Sequence, residues 1–394
     1  MYFMGKSTIS AIAVAAFLAC APAAQAQSDQ TGQLAQAGAL AVLAMPEASP
    51  EFATFTPTDT PNRNRIDYEI WDEAMNYLVF RMGKSLRQNP GRPSSGMGSG
   101  RMYGHDSRYR LEGNRILFSF LDREVIDTFT EYRADLERVG TSLDIATLDR
   151  NEQLAFWINL HNVVVIEQIA NAWPVRQPRE IEIGGVPMDE AKIITVKGVS
   201  MSLKDIRTQI VYRHWRNPKV IYGFWRGDIG GPSIQSEAYT ADNVGRLLDK
   251  SARDFVNSLR GTQKRGDRLQ VSEIYQEAQP FYFPAMAGDI RSHISEYADA
   301  DVLELMKETS TVEAVVSEGD IADMAGGVRE PSYSTVTSDN RAVSFRVPQG
   351  MARLLTEHQT KIERLIREGR TGTVTFENIA LPGEEGEAAT NEVD

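Results

Sequence analysis

A helix-forming segment, residues 150–166, carries polar side chains among large apolar ones. It reads Arg-Asn-Glu-Gln-Leu-Ala-Phe-Trp-Ile-Asn-Leu-His-Asn-Val-Val-Val-Ile. Glu152, Asn159 and Asn162 share one helical face, because together with Ala155 they follow the alternating spacing of three and four residues. A buried amide must be hydrogen-bonded either to its own fold or to a ligand. The asparagine face is therefore either a structural network that fixes neighbouring strands or loops, or the lining of a pocket that binds amide or hydroxyl groups.

Two side chains of this helix have the chemistry of acid–base catalysts. Glu152 is a candidate general base, although the helix dipole also favours a carboxylate in the first turn. His161 lies four residues after Trp157, so its ring can either act in catalysis beside the asparagines or stack on the indole. Ser233 is the candidate nucleophile, and it would need a base such as His161 or His214. The catalytic and the structural interpretation both stay open.

A glycine-rich loop, residues 225–233, is the second candidate site. It reads Trp-Arg-Gly-Asp-Ile-Gly-Gly-Pro-Ser. Consecutive glycines expose backbone N–H groups, which an anion nest or an oxyanion site requires. Arg226 would supply charge there, and Gly230 and Gly231 would supply the donors. The alternative is a tight turn that crosses the edge of the core.

The residue counts exclude several classes of chemistry. Cys20 is the only cysteine and lies in the predicted signal peptide, so we expect a mature chain without disulfide, thiol nucleophile or thiolate metal site. The five histidines form no pair at the spacing of a helical zinc site, and we predict no metal and no cofactor. The 54 acidic and 42 basic residues give a net charge of −12, which opposes nucleic-acid binding.

The first residues predict export. Lys6 precedes an apolar stretch, residues 9–18, and Ala24-Gln25-Ala26 is a small-x-small cleavage site. Residues 1–26 are therefore a predicted signal peptide, and the mature chain begins at Gln27. The apolar stretch is too short to span a bilayer, and no later segment is long and apolar enough. We expect a periplasmic or secreted protein with no integral membrane segment in the mature chain.

Composition divides the rest of the chain into segments. Residues 27–64 are predicted to be a linker, because they are rich in Ala, Gln, Thr and Pro. Residues 65–300 are predicted to form the main domain, with a mobile loop at 83–110 that is dense in Gly, Ser, Pro and Arg. Residues 301–383 are predicted to be an α/β extension, and residues 384–394 an acidic, disordered tail.

Periodicity predicts an α+β fold: a helix-rich main domain around a small, mainly antiparallel sheet, with the asparagine helix at its centre. Predicted helices cover residues 65–82, 117–139, 148–171, 203–215, 241–259, 285–297 and 351–368. Strand-forming sequences are found at residues 193–196, 199–201, 219–224, 268–271, 343–347 and 372–377.

The asparagine helix resembles the signature of the DUF547 family. Arg150-Asn151-Glu152, followed by Ala155-Phe156-Trp157-Ile158-Asn159-Leu160-His161-Asn162, is similar to the family pattern N-x-x-x-A-F-W-I-N-x-Y-N. Gly230-Gly231-Pro232-Ser233-Ile234 is similar to its G-x-x-S-C/S-P-x-L loop, and the resemblance extends over residues 117–297. The family has no settled activity, so the resemblance implies a domain rather than a reaction.

Two positions of the chain depart from the family pattern. His161 stands where the family has a tyrosine, so an imidazole replaces a phenol. Gly231 stands where many relatives have a cysteine. If those relatives use the thiol chemically, this chain either lacks their activity or performs it differently.

Three functional hypotheses follow. The first is an exported domain without catalysis that binds an unknown small-molecule, peptide or protein ligand in the cell envelope, through Asn159, Asn162, Arg226, Gly230 and Gly231. The second is a hydrolase or acyl-transferase acting on envelope peptides or glycans, with His161, Glu152 and Ser233 as catalytic residues. The third is a scaffold that acts through its linkers and tail. A solvent-reaching pocket that joins the asparagines to the glycine loop would favour the enzyme, and a sealed core would disfavour it.

Overall fold

The structure is a computed structural model, and it describes residues 45–93, 103–330, 333–337 and 344–370. The predicted signal peptide, the strand-forming residues 372–377 and the acidic tail 384–394 lie outside the described residues. Within the described ranges, no helix is long and apolar enough to cross a membrane.

The α+β class predicted from the sequence is confirmed, because helices predominate and the strands form only short sheets. The helices, numbered in chain order, are α1 (Glu69–Leu78), α2 (Arg123–Ser142), α3 (Arg150–Ala172), α4 (Leu203–Asp205), α5 (Tyr212–His214), α6 (Val244–Val256), α7 (Ile274–Tyr282), α8 (Met286–Tyr297), α9 (Ala300–Lys307) and α10 (Gln349–Arg367). Of these, α7 and α9 fall outside the helices predicted from periodicity.

The strands pair into several small sheets instead of the one sheet expected from the sequence. They are β1 (Val79–Phe80), β2 (Arg115–Ile116), β3 (Glu182–Ile183), β4 (Val186–Pro187), β5 (Ile194–Val196), β6 (Val199–Met201), β7 (Thr262–Arg265), β8 (Arg268–Ser272), β9 (Thr311–Val316), β10 (Tyr333–Thr337) and β11 (Ser344–Pro348). Four antiparallel pairs, β1–β2, β3–β4, β5–β6 and β10–β11, accompany one larger sheet. In that sheet β8 pairs antiparallel with β7 and parallel with β9.

The asparagine helix, α3, lies in the centre of the core, as the sequence predicts. Its residues 152–167 are all buried, polar and apolar alike. Asp149 caps its start, where the carboxylate accepts from the N–H of Asn151 at 2.9 Å. Phe55 meets the ring of Trp157 edge-on at 5.1 Å. Because Phe55 belongs to a 3-10 helix at Pro50–Phe55, part of the predicted linker packs against the core.

A π-helix, Ile206–Val211, replaces the middle of the helix predicted at residues 203–215 and joins α4 to α5. Ser202 and Asp205 form a capping box at the start of α4. Ser202 Oγ accepts from the N–H of Asp205 at 3.1 Å, and the Asp205 carboxylate accepts from the N–H of Ser202 at 2.9 Å. π-Helical turns are frequent at functional sites, and this one carries the fully buried Arg207.

The strand expected from residues 219–224 is wrong, because Pro218–Gly223 form a 3-10 helix. Pro218 takes the first helical position, where its fixed φ suits the helix and no N–H is needed for a helical hydrogen bond. Asn217 Oδ1 accepts from the N–H of Lys219 at 3.0 Å. The apolar side chains of this turn are buried against α6. A short, wholly buried apolar run has no polar face, so periodicity does not distinguish a strand from a helical turn.

The last described helix, α10, packs on the main domain through a second apolar cluster. This cluster contains Met82, Met324, Ala325, Val347, Met351 and Leu354. Lys361 of α10 is buried, and its ammonium donates to the carbonyls of Met82 at 2.8 Å and Leu111 at 2.7 Å. Arg110 and Glu357 form an ion pair at 2.6 Å across the same contact.

Candidate functional site

The two asparagines of α3 are hydrogen-bonded to the backbone of segments packed against the helix. Asn159 donates to the carbonyl of Tyr239 at 2.7 Å and accepts from the N–H of the same residue at 3.0 Å. Asn162 donates to the carbonyl of Gly223 at 3.0 Å and accepts from the N–H of Trp225 at 3.1 Å. The exposed fraction is 1% for Asn159 and 3% for Asn162. These contacts support the structural interpretation of the asparagine face.

Glu152 fastens the segment before α1 to the first turn of α3. Its carboxylate accepts from the N–H of Ile66 at 3.0 Å and from the guanidinium of Arg65 at 3.4 Å. Burial raises the pKa of Glu152, and these two donors oppose the rise only in part. None of its hydrogen-bond partners is another candidate site residue.

His161 has both ring nitrogens engaged inside the core. Arg207 has only donors, so it donates from Nη1 to Nε2 of His161 at 3.0 Å, and the ring proton must be on Nδ1. Nδ1 then donates to Oδ1 of Asn162 at 3.1 Å. Burial first, and the charge of Arg207 second, lower the pKa of His161 to about 3. The imidazole is therefore neutral at physiological pH, and its basic nitrogen is occupied by a guanidinium.

Arg207 is the centre of a buried ionic network. It donates to both carboxylate oxygens of Asp189, each at 2.7 Å, and to both oxygens of Glu277 at 2.8 and 2.9 Å. Arg226 donates to the same Glu277 carboxylate at 2.7 Å. Two arginines thus balance two carboxylates, with the neutral His161 beside them. The side chain of Arg207 is 0% exposed, whereas that of Asp189 is 41% exposed, so the network extends from the core to solvent.

The carboxylates of this network stay ionised. Burial alone would raise the pKa of Glu277, but the charges of Arg207 and Arg226 outweigh it and lower the pKa to about 2. The same competition between burial and Arg207 lowers the pKa of Asp189. Neither group can therefore act as a proton donor near neutral pH. The network fits a cross-link between α3, the π-helix and α7 better than an acid–base pair.

The N–H groups of the glycine loop are used by the fold. Gly230 donates to the carbonyl of Glu318 at 3.0 Å, and Gly231 donates to the carboxylate of Asp228 at 2.6 Å. A Cβ atom on Gly230 would lie 2.5 Å from the Glu318 carbonyl oxygen, so close packing requires glycine there. A Cβ atom on Gly231 would approach only the Asp228 carboxylate, at 3.1 Å. A side chain such as the cysteine of the relatives therefore needs only a small adjustment of Asp228.

Ser233 is hydrogen-bonded to an arginine instead of a histidine. Its Oγ accepts from Arg260 Nη2 at 2.7 Å and from the N–H of Asn114 at 3.3 Å. Arg260 is itself buried and donates to the carbonyl of Gly231 at 2.8 Å. No hydrogen bond of the described residues joins Ser233 to His161 or His214.

The predicted site residues therefore separate into three places. His161, Asn162 and Arg226 meet around Arg207, while Asn159 and Glu152 face other segments along α3. Gly230, Gly231 and Ser233 form the third group, held by Arg260 and Asp228. The arrangement does not bring the candidate nucleophile, base and carboxylate together.

Sequence reasoning missed Arg207, Asp189 and Glu277. A signal for Arg207 exists, because it falls on the apolar stripe of its helix, four residues after Leu203 and four before Val211. An arginine on a buried stripe requires carboxylate partners. Nothing in the local sequence identifies Asp189 and Glu277 as those partners, since they lie 18 and 70 residues away along the chain.

A cleft of about 830 Å³ lies away from α3, beside α6. Its charged lining consists of six cations, Lys84, Arg87, Arg246, Lys250, Arg253 and Arg370, and four carboxylates, Asp249, Asp254, Asp299 and Asp301. None of the residues predicted from the sequence lines it. Among the described residues, no group of three or more histidine, cysteine or acidic side chains is placed to hold a metal ion.

Comparison with known proteins identifies part of the chain. Residues 145–256 match the model of the DUF547 family, described as a protein of unknown function. The match includes α3, the π-helix, the glycine loop and α6, and it confirms the resemblance drawn from the asparagine signature. No curated protein and no solved structure matches the chain.

Proposed function

We propose that this DUF547 chain is an exported protein of the cell envelope that binds an anionic ligand or partner in the cleft beside α6. The observation that carries the proposal is the cleft itself, whose volume of about 830 Å³ is in the range of small-molecule sites. One wall is α6, which belongs to the segment matched by the family. Export rests on the signal-like residues 1–26 alone.

The charge of the cleft favours an anion. Its six cations and four carboxylates leave a net charge of +2 in a chain whose net charge is −12. Asp249, Asp254 and Asp301 each pair with a cation, at 2.8, 3.6 and 3.6 Å. Among the described carboxylates, none lies within ion-pair distance of Lys84, Arg87 or Arg253. The charges of these three cations are therefore not neutralised by an ion pair and favour an anionic ligand.

Arg87 is positioned in advance of binding. Its guanidinium donates to the carbonyl of Ser258 at 3.2 Å and to the hydroxyl and carbonyl of Thr262 at 3.1 and 3.0 Å. Its backbone is in the left-handed region, with φ 54°, and its N–H donates to Ser85 Oγ at 2.8 Å. Left-handed backbone in a residue other than glycine is uncommon and is often found at functional sites. A fixed guanidinium loses little entropy when a ligand binds.

The hydrolase or acyl-transferase hypothesis receives no comparable support. It requires a free basic nitrogen near Ser233, whereas Nε2 of His161 accepts from Arg207 and Ser233 bonds to Arg260. It also requires free oxyanion donors, whereas the N–H groups of Gly230 and Gly231 are both occupied. The scaffold hypothesis depends on the linker and tail and predicts no use of the cleft.

A charge reversal in the cleft tests the binding proposal. The chain from Gln27 is titrated against fluorescein-labelled hexaglutamate at low salt, and anisotropy gives the dissociation constant. We expect Arg253→Glu to weaken binding by about tenfold or more, which corresponds to ~1.4 kcal/mol. Asp299→Asn should strengthen it, because it removes a carboxylate of the cleft. Both effects should shrink as salt screens the charges.

The matched control is Arg63→Glu, which makes the same change at an exposed arginine that does not line the cleft. An equal loss of binding in Arg63→Glu and Arg253→Glu would show only a response to net charge. Failure of the wild-type chain to bind the peptide at all would also contradict the proposal. Export is tested separately, by whether the full-length chain with a C-terminal tag appears in the periplasmic fraction and shortened to the length expected for cleavage after Ala26.

A further inference from the structure

A second group of cations, apart from the cleft, consists of the sequence neighbours of Trp215 and an arginine that stacks on its ring. It consists of Arg213 and His214 at the end of α5, Arg216 just beyond them and Arg150 at the first position of α3. We call these residues the arginine cluster. Arg150 donates to the carbonyl of His214, which ties the two helices together at this point.

Aromatic rings hold two of the arginines in place. The guanidinium carbon of Arg150 lies 4.7 Å from the centre of the Trp215 ring, and that of Arg213 lies 5.7 Å from the centre of the Phe281 ring. Arg213 also donates to the carbonyl of Glu47 at 2.7 Å. Stacking covers one face of each guanidinium and leaves part of its N–H edge for other acceptors.

Among the described residues, no carboxylate forms an ion pair with Arg150, Arg213 or Arg216, although the chain has 54 acidic residues. Acceptors are also in short supply, because Arg213 Nε and Trp215 Nε1 are buried without a hydrogen-bond partner.

The cations of the cluster are close enough to disturb one another. Burial first, and Arg216 second, lower the pKa of Arg150. Burial, and then the charges of Arg150 and Arg213, lower the pKa of His214. The protein thus retains an unfavourable grouping of like charges that a bound anion would relieve.

We propose that Arg150, Arg213 and Arg216 bind a phosphoryl group. Three permanent charges match a phosphate dianion better than a single carboxylate, and the planar guanidinium fork matches two phosphate oxygens at once. The group could be inorganic phosphate or the headgroup of a phospholipid, since both offer the same oxygens. This inference concerns a site separate from the cleft and does not depend on it.

Calorimetric titration with inorganic phosphate at pH 7.5 and low salt tests the site on the chain from Gln27. Arg216→Gln is the main variant, because Arg216 is exposed and its replacement should not disturb folding. We expect Arg216→Gln to weaken phosphate binding by about tenfold, the loss of one charge-assisted contact. Arg63→Gln, which removes one exposed arginine outside both the cluster and the cleft, is the matched control and should leave this binding unchanged.

Vesicle co-sedimentation identifies the source of the phosphoryl group. Sedimentation with phosphatidylglycerol vesicles but not with phosphatidylcholine vesicles, lost in Arg216→Gln, would support the site with a lipid headgroup as its ligand. Phosphate binding without vesicle binding would support it with free phosphate as the ligand. Absence of both would overturn the proposal. So would a response to Arg216→Gln that is confined to hexaglutamate, because that would indicate an acidic peptide.

Discussion

Replacement of Arg207 by methionine tests whether the buried ionic network holds the core together. The change keeps much of the apolar length of the side chain but removes every hydrogen bond to Asp189, Glu277 and His161. Breaking a buried ion pair by removing one partner typically costs about 3–5 kcal/mol. The lower end of this range of destabilisation applies to Arg207→Met, because the Asp189 side chain is 41% exposed and Glu277 keeps its ion pair with Arg226. We expect Arg207→Met to lower the free energy of unfolding by roughly 3 kcal/mol.

Urea unfolding followed by tryptophan fluorescence measures this loss. Lys204→Met is the matched control, because Lys204 lies one helical turn earlier and forms an ion pair with Glu190 in which both side chains are about half exposed. Such a pair contributes about 0–1 kcal/mol. A loss for Arg207→Met as small as that for Lys204→Met would refute the reasoning.

A second substitution separates the charge effect from packing. Adding Glu277→Gln to Arg207→Met removes the charge of a buried carboxylate that has lost two of its three hydrogen bonds, so the double variant should be more stable than Arg207→Met alone. Arg207→Met should also raise the pKa of His161, because one cause of its lowering is gone. Additive losses and an unchanged histidine titration by NMR would show that the network is not electrostatically coupled.

Three further predictions concern the asparagine helix and the glycine loop. Asn162→Ala should lower the free energy of unfolding in urea by about 2–4 kcal/mol, because it leaves the N–H of Trp225 and the carbonyl of Gly223 buried without partners. If the variant keeps its melting temperature but no longer binds hexaglutamate, the structural role of Asn162 is contradicted. Because the pKa of His161 is lowered, its contribution to stability is complete above its unfolded-state pKa near 6.5 and is lost as the pH falls toward 3. Between pH 6.5 and 4.5, the free energy of unfolding of the wild type should therefore fall by up to about 1.4 kcal/mol per pH unit more than that of His161→Gln. Parallel curves of stability against pH for the two proteins would contradict this prediction. Gly230→Ala should lower the melting temperature strongly, because the added Cβ would lie 2.5 Å from a backbone oxygen. Gly231→Ala should lower it only slightly, because its Cβ would lie 3.1 Å from the carboxylate of Asp228, which can move. Equal shifts of the melting temperature would argue against this packing.

The sequence predicts the elements of the core well where burial is complete. α3 is apolar around most of its circumference, so its central position follows from composition alone. Its three central polar side chains, Asn159, His161 and Asn162, also indicate that hydrogen-bond partners exist. The identity of those partners does not follow, because Tyr239 and Gly223 lie 80 and 61 residues beyond the asparagines they bind. Such pairing is set by how the chain folds back, and no local pattern encodes it.

The short elements of the fold are predicted less well from the sequence. Residues 219–224 have strand-forming side chains, yet residues 218–223 form a 3-10 helix that begins at Pro218 and is capped by Asn217. No local pattern of the sequence distinguishes the π-helix at 206–211 from an ordinary α-helix. Periodicity does not reveal the cleft beside α6 either, since its cations come from three separate segments of the chain.

The buried Lys361 links chain synthesis to folding. Its ammonium binds carbonyls of Met82 and Leu111, which are 279 and 250 residues earlier in the chain. Those carbonyls have no such partner until nearly the whole polypeptide has left the ribosome. Contacts of this sequence separation form late and slowly. The contact of α10 with the main domain is therefore completed only after nearly all of the chain has been synthesised.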